Sequence, residues 1–349
     1  MGLAVVHREE GHRLDGDGPA TGLANRYLAH LGTRGFSPAT ARGYAYDLLN
    51  FSRFLAERNL GLATVVPSDL FDYLDWQARS RPRTSKVVRL SDGGGPAPAT
   101  VNRRVAAVRG MFEYAVITGE RTDNPVPAAR RSTGWRAPRR GMLGHLGPGR
   151  PRGGGRLVRQ PRRLPENVDP GDVAAFIADL GSHRDRAVTL VMVLGGLRAA
   201  EVRSLRLADV DMGLRRVRVV GKGGRERVVP VDGAFFNELA AYLRCERPTG
   251  CAAAECFVVL RGPTAGQAMT EAGMRKIFRS HRASSGATRV RPHRLRHTFG
   301  TELAAAGIDL LVLRELMGHA SPETTAAYVH LSAETLAVEY ANARKRAQP

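Results

Sequence analysis

The sequence predicts a mainly α-helical protein with one small antiparallel β-hairpin, laid out as a helical N-terminal domain followed by an α+β C-terminal domain. Three observations predict it. Residues 20–128 hold four amphipathic segments at helical period; residues 129–164 exchange that patterning for arginine, glycine and proline; and residues 165–349 interleave apolar helices with one strand–turn–strand pattern. A chain of 349 residues has room for about two cores.

Residues 1–19 are polar and contain several Gly and Asp, so they are expected to form a flexible tail. "ATGLANRYLAHLGTRG" then reads as a short amphipathic helix closed by Gly35. "SPATARGYAYDLLNFSRFLAERNLG" opens with Ser37 and Pro38 and puts Tyr44, Leu48, Phe51 and Leu55 on one stripe. "PSDLFDYLDWQARS" starts a third helix behind Ser68 or Asp69, and "ATVNRRVAAVRGMFEYAVITG" makes a fourth, whose Arg103, Arg104 and Arg109 form a basic face. Residues 129–164 contain eleven arginines and no acidic residue, a composition that cannot bury a core of its own. The segment is a linker: either an inert spacer or a basic strap along a phosphate backbone, with Arg139, Arg140, Arg162 and Arg163 as candidate contacts. Further on, "DRAVTLVMVLGGLRAAEVRSLRLADVD" is an apolar helix, a Gly195–Gly196 break and a short helix, and "LRRVRVVGKGGRERVVPV" is a hairpin by alternation and turn chemistry.

The net charge of +20 and pI near 11.1 point to a polyanionic partner, most often nucleic acid. An acidic lipid surface or a merely soluble basic protein fits the charge less well. Only four of the 53 basic residues are lysines (Lys86, Lys222, Lys276, Lys345), so each lysine is informative. No run of eighteen apolar residues and no signal-like leader is present, which leads to the expectation of a cytoplasmic protein. Cys245, Cys251 and Cys256 match no common zinc spacing and are expected as reduced thiols.

Several residues are equipped for chemistry on a phosphate. Arg198 follows a two-glycine turn at a helix start, where its fork and the free backbone N–H groups can share the same oxygens; Glu201 on the same face can orient it, although taken alone the pair reads better as a surface salt bridge. Lys222 sits at the hairpin tip and can act as a general acid, as arginine cannot; a chance lysine is the alternative. His293, Arg296 and His297 share a helix face after Pro292. The position after the first histidine is Arg294 rather than a carboxylate, so the cluster suits an anion better than zinc, and His297 reads as structural. His319 follows a helix-ending Gly318. Ser321 and Pro322 start another helix and put Tyr328 in its second turn, where a lone tyrosine is as readily a packing residue.

"GLRAAEVRSLRLADVD", "GKGGRERVVPV", "HRLRHTFGTEL" and "LMGHASPETTAAYVHLS", behind a helical N-terminal domain, together resemble the tyrosine recombinases of the phage integrase family. The resemblance covers residues 20–128 and 166–340 and keeps the family's order. It implies that Tyr328 attacks a scissile DNA phosphate to form a 3′-phosphotyrosyl link, with strand exchange and religation using no ATP, metal or other cofactor. Arg198 and Arg296 would clamp the phosphate oxygens, His319 would add a hydrogen bond, Lys222 would protonate the leaving 5′-oxygen, His293 would assist proton transfer, and Glu201 would support the site. It also implies a core-binding domain over 20–128 and a catalytic domain over 165–349, forming a C-shaped clamp around double-stranded DNA. A homotetramer on two DNA sites is implied, with the C-terminal helix exchanged between subunits and room for a partner recombinase or accessory protein. The short N-terminus suggests a simple member without an arm-binding domain, Xer-like or transposon-borne.

Overall fold

In a computed structural model of the protein, the described residues are 2–9, 11–79, 95–127, 157–158, 167–221 and 223–319. Lys222, Arg139, Arg140, Arg162, Arg163 and Tyr328 lie outside them. The chain divides into two compact units, Met1–Arg162 and Arg163–Pro349.

The first unit begins with a hairpin, where the sequence suggests a flexible tail. Strand β1 (Ala4–Arg8) pairs antiparallel with β2 (Gly11–Asp15), in register from Ala4↔Asp15 to Arg8↔Gly11. Gly11 supplies a positive φ of 113° beside the turn. The strands hold because Leu14 is buried on the helices, while the Asn25 carboxamide accepts from the Leu14 N–H (2.8 Å) and donates to its carbonyl (3.0 Å). Polar composition hides this element, since one buried leucine and one amide clamp carry it.

Four helices follow: α1 (Thr21–Thr33), α2 (Pro38–Glu57), α3 (Pro67–Arg79) and α4 (Pro98–Ile117). Ser37 caps α2 by accepting from the Thr40 N–H, with Pro38 at the first helical position. Helix α3 starts two to three residues earlier than expected, with the Asp69 carboxylate accepting from the Val66 N–H. The predicted stripe is correct: Leu48, Phe51 and Leu55 are fully buried and meet Phe54, Tyr73 and Phe112 in one aromatic core.

The second unit is built from α5 (Pro170–Asp179), α6 (His183–Leu194), α7 (Ala199–Ser204), a 3₁₀ turn (Leu207–Asp209), β3 (Val210–Asp211), β4 (Arg216–Val220), β5 (Glu226–Pro230), α8 (Gly233–Cys245), α9 (Glu271–Ser284), α10 (Pro292–Ala305) and α11 (Leu310–Met317). The expected hairpin is β4–β5, and β3 adds an unforeseen short edge to make an antiparallel sheet of order β3-β4-β5. Its inward face alternates Val217, Val219, Arg227 and Val229, so an arginine occupies a position that the pattern reserves for an apolar side chain. Val188, Val191 and Met192 of α6 pack with Phe235 and Leu239 of α8 and with Leu295 of α10. Phe299, Leu313 and Met317 form a smaller cluster that seats α11 on α10. The three cysteines are free thiols, and burial pushes the Cys256 thiol up to about 12. Among the described residues, no helix is long and apolar enough to cross a membrane.

Candidate active site

The α6–α7 turn is where local sequence chemistry first dictates the site. Gly196 has a φ of +63°, and a Cβ there would stand 2.3 Å from the Phe299 ring, so backbone and packing both demand glycine. The turn ends at Arg198, the N-cap of α7. Glu201, at the third position of that helix, accepts from the Arg198 N–H (2.8 Å) and from its Nη1 (2.7 Å). Glu201 therefore orients Arg198, as its spacing suggests.

Glu201 itself is only 5% exposed, and it is held by a residue that sequence inspection passes over. Arg227 donates from Nη1 to Oε1 (3.1 Å) and from Nη2 to Oε2 (2.8 Å), a bidentate fork almost fully out of solvent. Burial works to raise the Glu201 carboxyl, but the hydrogen bonds from Arg227 and Arg198 outweigh it and hold the group below the ordinary glutamate range. Removing either partner of such a pair typically costs about 3–5 kcal/mol, because the other charge is left buried and uncompensated. The signal available in the sequence was an arginine at an inward register position, read against an acid that needed a partner.

Helix α11 brings the remaining groups in. It ends at Gly318, in the left-handed region at φ 59° and ψ 48°. The carbonyls of Leu316, Met317 and Gly318 have no partner further along the helix, and each takes one arginine: Arg227 Nε (2.8 Å), Arg296 Nη2, and Arg198 Nη2 (3.1 Å), respectively. Three guanidinium groups thus sit on the negative end of one helix dipole. Arg296, 4% exposed, also donates from Nη1 to the Gly196 carbonyl, tying α10 to the two-glycine turn. His319 follows directly on Gly318, with its N–H bonded to the Arg314 carbonyl (3.1 Å).

The imidazoles here are neutral at pH 7. Burial first, then the Arg296, Arg198 and Arg227 charges, push His319 down to about 4. His293 is lowered from its ordinary value by desolvation and by Arg296 and Arg198. His297 stacks edge-on to His293 at 4.9 Å and is lowered by desolvation, His293 and Arg296.

Arg198, His293 and Arg296 open onto a cleft of about 810 Å³. Its opposite wall is the basic face of α9, where Arg275, Arg279 and Arg282 recur at helical spacing beside Lys276, with Glu271 as the single acid among the lining residues. In "TEAGMRKIFRSHRAS" this face shows only as basic residues at helical spacing, a pattern shared with any solvated helix, so sequence reasoning misses it as part of a site. The arginines proposed on the first unit are internally engaged. Arg103 (2.5 Å) and Arg104 both face the buried Asp47, Arg104 also donates to the Gln77 amide oxygen, and Arg109 donates to the Pro127 carbonyl. Burial outweighs these arginines at Asp47 and pushes its carboxyl up to about 6. Among the described residues no group of three or more His, Cys, Asp or Glu is placed to hold a metal ion.

This arrangement can bind a phosphate with two oriented guanidinium groups and present neutral imidazoles to it. Comparison with known proteins follows the same line. Residues 168–335 match the model described as the phage integrase family, and residues 24–119 match that of its N-terminal SAM-like domain. The chain is 29% identical over 328 residues to the tyrosine recombinase XerC of Shewanella amazonensis, covering 93% of this chain and 96% of that one. It is 27% identical over 322 residues to XerC of Staphylococcus haemolyticus, covering 90% and 94%. In fold it resembles a XerH site-specific recombinase bound to palindromic difH substrate, with a TM-score of 0.63 at 18% identity over 92% of this chain and 84% of that one. It also resembles the Tn1549 transposon integrase in complex with transposon right end DNA, with a TM-score of 0.64 at 16% identity over 92% and 99%.

Proposed function

Since the chain belongs to the phage integrase family of tyrosine recombinases, we propose that it is a site-specific DNA recombinase whose nucleophile is Tyr328. The observation that carries this is the convergence of Arg198, His293 and Arg296 on one basic cleft, with His319 close enough to feel the Arg296 and Arg198 charges, from three separate stretches of chain. Tyr328 lies nine residues beyond His319, on the segment that leaves this arginine-held helix end.

In the proposed reaction the Tyr328 oxygen attacks the scissile phosphorus, the bond from phosphorus to the 5′-oxygen breaks, and a 3′-phosphotyrosyl link forms. Arg198 and Arg296 stabilise the charge that builds on the non-bridging oxygens. Lys222 protonates the leaving 5′-oxygen. His293, neutral beside the cleft, assists removal of the tyrosine proton, and His319 donates a hydrogen bond to the phosphate. A 5′-hydroxyl from a second site reverses the step. The basic wall of α9 supports a duplex as the ligand, since clustered arginines gain affinity by releasing counterions from phosphate backbones. A homotetramer on two DNA sites, with C-terminal segments exchanged, completes the proposal.

The test uses a labelled, nicked duplex carrying the site that the wild-type protein selects from a randomised DNA pool. Wild-type protein is expected to form an SDS-resistant adduct, and Tyr328→Phe to bind the same DNA and form none. An adduct that persists in Tyr328→Phe overturns the assignment.

A further inference from the structure

We infer that Arg227 is a positioning residue of the recombination reaction, bracing Arg198, the turn that carries Lys222 and the His319 end of α11 against one another. The inference rests on the recombinase assignment above and adds a residue to it.

Every nitrogen of the Arg227 guanidinium is used. Its two Nη atoms grip Glu201, the same carboxylate that orients Arg198, while Nε takes the Leu316 carbonyl. These partners lie 26 and 89 residues away in sequence. The side chain therefore joins α7, β5 and α11, alongside the Arg198–Gly318 bond that also ties the start of α7 to the end of α11. It also lies directly beneath two glycines that flank reacting groups. A Cβ on Gly318, next to His319, would stand 2.8 Å from Arg227 Nη1, and one on Gly221, next to Lys222, would stand 3.7 Å from it. Arg227 thus lies tight against Gly318, on which His319 follows, and within ordinary contact of Gly221 at the end of β4. Arg227 is not among the residues that line the cleft, unlike Arg198 and Arg296, and all three of its guanidinium nitrogens are bonded inside the protein, which makes it a support rather than a phosphate ligand.

Lysine at this position keeps a charge opposite Glu201 but has no rigid fork, so it cannot hold Glu201 and the Leu316 carbonyl together. The experiment measures single-turnover adduct formation on the nicked duplex at saturating DNA, for wild type, Arg227→Lys and the neutral pair Glu201→Gln/Arg227→Gln. The neutral pair removes both charges of the Arg227–Glu201 fork together, at the cost of the carboxylate that also faces Arg198 and Arg296, and serves if the lysine variant folds poorly. A positioning residue lowers the rate constant of the competent fraction, about 100-fold for a displacement near 1 Å; a merely structural one lowers the amplitude and leaves that rate constant unchanged. We expect the rate loss in both variants, and a partial recovery with a bridging 5′-sulfur substrate, whose thiolate leaves without needing a proton from Lys222. Variants that cleave with the wild-type rate constant, or that lose amplitude only, overturn the positioning role and leave the recombinase assignment standing. Failure of the wild-type protein to form an adduct overturns both.

Discussion

Replacing Gly318 by alanine separates backbone preference from packing at the heart of the site. Gly307 is the internal control, because both glycines close a helix with positive φ, 59° and 80°. An alanine held in the left-handed region costs about 1–2 kcal/mol in either place. At Gly307 nothing lies within 4 Å of the added Cβ, so the cost stops there. At Gly318 the Cβ meets Arg227 Nη1 at 2.8 Å and Cζ at 3.1 Å. Arg227 cannot swing aside without releasing Glu201 or the Leu316 carbonyl, and a hydrogen bond to a charged group is worth about 1.5–3 kcal/mol. Gly318→Ala should therefore destabilise the second unit by roughly 3–4 kcal/mol against about 1–2 for Gly307→Ala. Urea unfolding followed by far-UV circular dichroism is the suitable assay, since both tryptophans, Trp76 and Trp135, precede residue 163 and report on the first unit. Equal losses in the two variants, within about 0.5 kcal/mol, would refute the claim that Arg227 is rigidly wedged under Gly318.

Two further outcomes follow from the same geometry. His319 titrates near 6.5 when unfolded but near 4 in the folded protein, so its contribution to stability is complete above 6.5 and is lost as pH falls towards about 4; the urea midpoint should drop over that window, and His319→Gln should flatten part of the drop, whereas an unchanged profile in the variant would count against the assignment. Neutralising Arg275, Arg279 and Arg282 on α9 together should weaken DNA binding on all sequences and reduce the slope of log K against log salt by up to roughly 0.9 for each phosphate that is no longer neutralised, read by fluorescence anisotropy; a slope equal to wild type would remove α9 from the DNA interface.

Much of the site was legible in sequence because its parts depend on local rules. Ser37 and Pro38, the Gly195–Gly196 turn, the β4–β5 hairpin and the Gly318 stop are short-range signals, and each appears where its turn or cap chemistry puts it. The spacing of Arg198 and Glu201 is likewise a one-turn relation, and it predicted their contact. The N-terminal hairpin went unseen because its stability comes from the carboxamide of Asn25, beyond the end of the strand, and from a surface offered by α1 and α2. Periodicity groups Arg103, Arg104 and Arg109 on α4, but it does not show that Asp47, Gln77 and the Pro127 carbonyl engage them, with Arg103 still exposed.

The sequence by itself determined most helices, the β4–β5 hairpin and the chemical inventory of the site, because these follow from the preferences of residues within a turn or two of each other, whereas β1, β2 and β3 do not. Tertiary structure alone decided which arginine became a support and which faces the cleft. Arg198, Arg227 and Arg296 are the same side chain chemically. Arg227 faces inward because a strand's period of two points it at Glu201, and Arg296 stands between Gly196 and Met317 because α10 crosses both. That three successive carbonyls of α11 each find a different arginine is a property of how four elements meet. Long-range packing places those charges on the one helix end whose dipole can hold them.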